Sequence, residues 1–177
     1  MSKNLAVTFY NDGTPIPHIP DGTAWPFAQT PAYCWYDNNY QTYGRVYGAL
    51  YNAYAVKTGK LCPQGWHVPS ETEWTALVNY LGGQSVAGGK LKETGTAHWV
   101  SPNVGATNEV GFLALPGGVK WNSTTGSSIG YIGHWWTTTV GNYPSFSRCF
   151  NIINQYSQVY NNDFDNGHGF SVRYIKN

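Results

Sequence analysis

The strongest constraint on the fold is how seldom this sequence lets a regular element run. Twenty-one glycines and ten prolines are spread through 177 residues, and both residue types end helices and strands and open turns. Pro15, Pro17, Pro20, Pro26 and Pro31 deny helix and central strand to residues 14–31. That stretch is expected as an ordered loop pinned to the core by Trp25 and Phe27. Two stretches escape the punctuation. Arg45–Val56 puts Val46, Ala49, Leu50, Ala53 and Tyr54 at helical spacing, with Gly59 as terminator. The second signal is sharper. Ser70 is a good N-cap, and Glu73 three residues later completes a capping box. Trp74, Leu77, Val78 and Leu81 then form an apolar helical stripe that belongs to a core, and Gly82-Gly83 ends it.

The remaining apolar segments are short and read as strands. Leu5–Tyr10 runs into the turn Asn11-Asp12-Gly13, and Gly65–Pro69 leads into the helix cap. Phe112–Leu115 is stopped by Pro116-Gly117-Gly118. Trp135–Val140 is a strand, and Arg148–Ile153 with Gln158–Asn162 forms a hairpin around Asn154–Ser157. Phe170–Ile175 closes the sheet, with Phe170, Val172 and Tyr174 on one face. Ser123–Gly130 is a small-residue tip expected to be mobile. The expected fold class is α+β: two helices packed on short antiparallel sheets, loop-rich, in a single domain over residues 1–177.

Charged residues are only 11% of the chain and the net charge is +1, so no electrostatic case exists for a nucleic acid or an anionic membrane as partner. No apolar run reaches the roughly 18–20 residues needed to cross a bilayer. Met1–Leu5 lacks the apolar segment of a secretory signal.

Catalytic signatures are missing from the sequence: no phosphate loop, dinucleotide fingerprint or nucleophile elbow occurs. His18, His67, His98, His134 and His168 are scattered, and no pair has the spacing of a zinc helix. Cys34, Cys62 and Cys149 match no zinc or redox spacing. Cys34 and Cys62 can pair in an oxidising compartment or stay reduced in the interior. No cofactor is expected. Calcium finds oxygen ligands at alternate positions only near Asn161, Asp163 and Asp165, and an Asx-rich turn accounts for the same residues.

The segment most like a binding surface is residues 131–168, crowded with Asn, Tyr, Ser and Phe. Tyr and Phe give large contact area for few frozen torsions, and Asn and Ser give adaptable hydrogen bonds. The candidate contact residues are Tyr131, His134, Tyr143, Phe146, Asn151, Asn154, Tyr156, Tyr160, Phe164 and His168. Trp135, Trp136, Phe170 and Arg173 are expected to hold the frame.

Several blocks resemble one family in order along nearly the whole chain. They are Tyr10–Pro17, Ala32–Tyr36, Lys60–Pro69, Gly89–Glu93, Ala114–Gly118, Gly133–Thr139 and Gly169–Arg173. Together they resemble the Fibrobacter succinogenes major paralogous domain family. The resemblance implies a C-type-lectin-like fold, the fold that also hosts the variable proteins of diversity-generating retroelements. In those proteins adenine-directed mutation of the C-terminal part makes new binding sites. Mutating the adenines of an Asn codon never yields Lys, Glu, Met or Trp, and residues 140–168 contain none of the four; Gln155 and Gln158 would then be template-fixed or incidental.

The resemblance thus implies a non-catalytic, ligand-binding, receptor-recognition module with a variable region at 131–168. Its partner would be a protein or glycan on another cell or particle, and its place the cell surface or a phage particle. Relatives often carry residues before the stretch matching Asn4-Leu5, so this chain is either a trimmed or a naturally compact version. Relatives also often end Ser-Val-Arg-Cys, whereas Tyr174 stands here. The calcium-site triplets of sugar-binding C-type lectins do not occur. Two alternatives remain. One is an oxidase related to formylglycine-generating enzymes, which His67–Trp74 resembles but whose paired C-terminal cysteines are missing. The other is a surface adhesion domain with a fixed partner.

Overall fold

A computed structural model describes residues 3–20, 22–121 and 126–177. In chain order the strands are β1 (Tyr33–Cys34), β2 (Leu50–Tyr51), β3 (Trp66–His67), β4 (Val119–Lys120), β5 (Gly126–Ser127), β6 (Ile132–Val140), β7 (Phe146–Ile153), β8 (Val159–Asp165) and β9 (Ile175–Lys176). The helices are α1 (Arg45–Tyr47), α2 (Ala53–Lys57), α3 (Glu71–Tyr80) and α4 (Gln84–Leu91). The architecture is mixed α+β. Strands β6, β7 and β8 form an antiparallel sheet in that order, and the two-stranded pairs β1–β2, β3–β9 and β4–β5 surround it. The part of the small-residue tip at residues 123–125 lies outside the described residues.

Helix α3 forms as its local code dictates. The Ser70 hydroxyl accepts from the Glu73 N–H at 3.3 Å, and the Glu73 carboxylate accepts from the Ser70 N–H at 2.8 Å. Gly82 ends the helix at φ 98. Trp74, Val78 and Leu81 are buried together with Trp135, Phe150, Ile152 and Val159, and Leu77 packs at the edge. One face of the three-stranded sheet is therefore covered by α3 and α4.

Several expectations are corrected. The helix foreseen over Arg45–Val56 is broken into α1, β2 and α2. Gly48 turns to φ 80, and a Cβ there would sit 2.6 Å from the Leu5 carbonyl. The chain then extends: Ala49 donates to Leu5 O, β2 pairs with β1, and the Asn52 side chain caps α2 by accepting from Ala55 N. Long-range pairing overrides the periodicity here. Helix α4 was not foreseen, because two consecutive glycines argue against a helix. Gly88 and Gly89 are needed there for approach: a Cβ on Gly88 would overlap the Gln158 carbonyl, and one on Gly89 the Gly105 carbonyl. Leu5–Tyr10 and Phe170–Ser171 join their neighbours through isolated bridges and single bonds rather than forming long strands. In place of an alternating pattern, Phe170 through Arg173 are all buried, since structure lies on both sides of them.

Trp25 anchors the Pro-rich loop in its own small cluster with Ala32, Cys34, Tyr36 and Leu50. Phe27, by contrast, is 82% exposed. Cys34, Cys62 and Cys149 are free and buried.

Candidate functional site

Register assigns each side chain of β6–β8 to a face, because directly opposed residues in antiparallel strands project the same way. One face carries Trp135, Phe150 and Asn161 in a row, and it meets α3 and α4. The other carries two rows, His134–Asn151–Tyr160 and Trp136–Cys149–Asn162, followed by Ser147–Phe164. On this second face the β6 end is roofed by core. Trp136 and Phe170 lie 4.5 Å apart by ring centroid, and His134 stacks on Phe170 at 4.5 Å and 15°. The β8 end is open: Asn162 is exposed, and Tyr160 and Phe164 are half-buried.

Residues 137–139 of β6 form a bulge opposite β7. Its polar groups are used to seat α3: Thr138 N donates to Pro69 O, and Glu71 N donates to Thr139 Oγ1. The bulge thereby fixes the helix start against the sheet.

The ten candidate residues do not form one solvent-facing patch. Phe164 and His168 gather on the open face around Trp121, whose ring lies 5.1 Å from His168 and 6.3 Å from Phe164, and Tyr160 lies further along β8, its ring 6.5 Å from Tyr156. Tyr143 and Phe146 sit beyond the far end of β6, 6.0 Å apart. Tyr131, Asn154 and Tyr156 sit at the opposite end, beside the β7–β8 turn. Tyr131, Tyr143 and Tyr156 are 50%, 67% and 47% exposed. The two ends are separated by the nine residues of β6, roughly 27 Å at strand rise.

Three of the ten are buried, contrary to expectation. His134 is enclosed by Phe170, Phe164 and Trp121, and its Nδ1 has no hydrogen-bond partner. Burial, helped by nearby His168, pulls its pKa down to about 3, so it stays a neutral ring at pH 7. Asn154 Nδ2 donates to Val100 O and Ser101 O at 3.0 and 3.3 Å, which makes it a strut between loops. Asn151 accepts from Asn162 Nδ2 at 3.1 Å and so orients the exposed amide beside it. Sequence reasoning cannot separate these roles, because Asn serves a turn, a strut and a contact surface equally well.

The β7–β8 turn is held by a residue the sequence did not single out. Lys92 is fully buried, and its ammonium donates to the carbonyls of Ile153, Asn154 and Tyr156 at 3.3, 3.3 and 3.0 Å. Its Nζ also lies 5.5 Å from the Trp99 ring centroid. Burial draws its pKa down to about 8, while three carbonyl dipoles favour the charge. Trp121 was also missed, lying outside 131–168 in a segment with no motif.

The oxygen-rich run on β8 is engaged internally. Asn161 donates to Glu71 Oε1 at 2.6 Å, Arg148 Nε lies 3.2 Å from Asp163 Oδ1, and Asp165 accepts from Gly167 N at 2.8 Å. These side chains are strung along an extended strand, and a calcium ion needs its oxygens at 2.3–2.6 Å around one point. Among the described residues no three His, Cys, Asp or Glu side chains are grouped to hold a metal. The Cys149 thiol is fully buried and pushed up well above the ordinary thiol range by desolvation, away from the reactive thiolate form. Among the described residues no helix is long and apolar enough to cross a membrane.

Fold and site together define a loop-rich α+β domain with a ring-and-amide face at the edge of its main sheet. The family model for the Fibrobacter succinogenes major domain matches residues 1–176, and the chain belongs to that family. No curated protein and no solved structure matches it.

Proposed function

We propose that this protein is a non-catalytic recognition module that grips its ligand on the open face of β6–β8. The same reading makes the scaffold C-type-lectin-like and the chain a variable protein of a diversity-generating retroelement. Its partner is then a protein or glycan on another cell or particle, and the protein works at a cell surface or on a phage particle. The observation that carries this reading is the division of labour across one sheet. Trp135, Trp136, Phe170 and Arg173 are buried and fixed. Tyr160 and Asn162 line the outer strand in alternate positions, so their side chains change without disturbing the ladder that holds them, while Phe164, two positions on, packs against Phe170 and His134. Exposed rings and amides supply contact area and adaptable hydrogen bonds.

The test is a comparison of sister copies from the same locus, with a search of the adjacent DNA for a reverse transcriptase and a near-repeat of the 3′ end. Differences should fall within 131–168 and favour the open face and the exposed ends, sparing Trp135 and Trp136. Sister copies differing mainly outside 131–168 would refute the diversification. A face identical in every copy would favour a fixed-partner adhesion domain instead.

A further inference from the structure

Strand β8 is the outer strand of the main sheet, bonded to β7 on one side only. Asn166 N donates to Ser145 O at 2.8 Å, one step past the Phe146–Asp165 pair. Bonded pairs alternate along an antiparallel ladder, so the main chain of Tyr160, Asn162 and Phe164 bonds to β7. The main-chain groups of Val159, Asn161, Asp163 and Asp165 therefore point outward. Among the described residues one of these groups is taken, the Asp165 carbonyl, which accepts from His168 N at 3.0 Å. Helix α4 closes the edge at its start, where Gly89 N donates to Ser157 O and Gly88 meets the Gln158 carbonyl. From Tyr160 to Asp165 every residue is half-buried or exposed. Such a row of unpaired N–H and C=O groups is a template for another strand.

The residues of the edge select the strand that fits it. Outward groups must meet outward groups, which leaves a second copy of β8 only alternate registers. An antiparallel pairing centred on Asp163 sets that carboxylate against its own copy. One centred on Phe164 sets Asp163 against Asp165, and like charges directly opposed are destabilising. One centred on Asn161 carries the second strand's Asp165 to Ser157, where α4 stands. Centring on Asn162 avoids all three faults. Asn161 then opposes Asp163 of the second copy, Asn162 opposes its own copy, and Tyr160 opposes Phe164. The two Asn161–Asp163 pairs carry about four main-chain bonds. Arg148 Nε lies 3.2 Å from Asp163 and 3.4 Å from Glu71, so the carboxylates beside the seam are already countered.

We propose that the free edge of β8 is a homodimer interface, in which a second copy of this chain pairs β8 to β8 about a two-fold axis at Asn162. Two three-stranded sheets become one continuous sheet. Opposed residues project the same way, so the two open faces join on one side of it. The inference stands whether or not that face grips a ligand. An interface made by a single strand pair is small, which makes the dimer weak and reversible.

Sedimentation equilibrium from about 1 µM to about 1 mM covers that range of affinity. The mass is expected to rise from 19.6 kDa towards twice that value, while the Asn161 and Asp163 amides gain protection from hydrogen exchange. Asn162→Asp and Asn162→Lys each set like charges on the two-fold axis and should weaken association by about tenfold or more. The side chain is exposed, so each monomer should fold, and an equal mixture of the two variants should associate again because opposite charges then meet. A monomer at about 1 mM overturns the proposal. So does a dimer whose Asn161 and Asp163 amides exchange freely, a dimer indifferent to both charges at position 162, or a mixture no tighter than either variant alone.

Discussion

His134→Phe should make the protein resistant to acid. In the folded chain the ring of His134 is enclosed and its pKa falls to about 3, against the ordinary histidine value of 6.5. The unfolded chain therefore binds a proton below about pH 6.5 that the folded chain refuses until about pH 3. The unfolded state holds more protons across that window, so stability is complete above pH 6.5 and falls as pH falls. At pH 4 about 2.5 units of the difference are expressed, which at 1.36 kcal/mol per unit is about 3 kcal/mol.

Phenylalanine keeps the stack on Phe170 and removes both the titration and the unpaired Nδ1. Urea denaturation of the two proteins at pH 7 and pH 4 measures the effect as a difference, so the carboxylates common to both cancel. The variant should be within about 1 kcal/mol of wild type at pH 7 and ahead by about 3 kcal/mol at pH 4. His168, half-buried and also drawn down by burial, remains in both proteins. A gap of the same size at both pH values would show that His134 takes up its proton inside the fold, and the enclosed-ring account would fail.

Two further outcomes follow from the supports of the open face. Lys92→Met removes three charge-assisted bonds worth roughly 1.5–3 kcal/mol each and regains part of the cost of burying the ammonium. A net loss of about 3 kcal/mol is expected, with faster amide exchange in residues 153–156. Unchanged urea midpoint and exchange would show that the turn holds itself. Gly88→Ala places a methyl against the Gln158 carbonyl and should cost about 1–3 kcal/mol by overpacking. A variant as stable as wild type in thermal denaturation would mean that α4 is free to move away from the turn.

The sequence by itself determined what a few neighbouring residues can settle. Ser70 and Glu73 cap α3 because both partners lie within one turn. The β7–β8 hairpin forms where its apolar runs and Asn-rich turn predict, and the buried Trp135, Trp136, Phe170 and Arg173 are the frame their blocks imply. The α+β class followed from the same short signals. The tertiary structure decided what depends on groups distant in the chain. Gly48 breaks the Arg45–Val56 periodicity because Leu5 crosses it. Gly88 and Gly89 become helical because residues 157–158 and Gly105 approach them.

The candidate site divides in the same way. Its ring and amide content was legible along 131–168, but the split into struts, enclosed rings and open contacts was not. Asn154 faces the Val100 and Ser101 carbonyls, His134 faces Phe170 and Phe164, and Asn162 and Tyr160 keep the outer strand's free face. Local hydrogen-bond and steric preferences act over one turn of chain, whereas burial is fixed by whichever remote segment arrives. Side chains of one type therefore take opposite roles once the sheet is assembled.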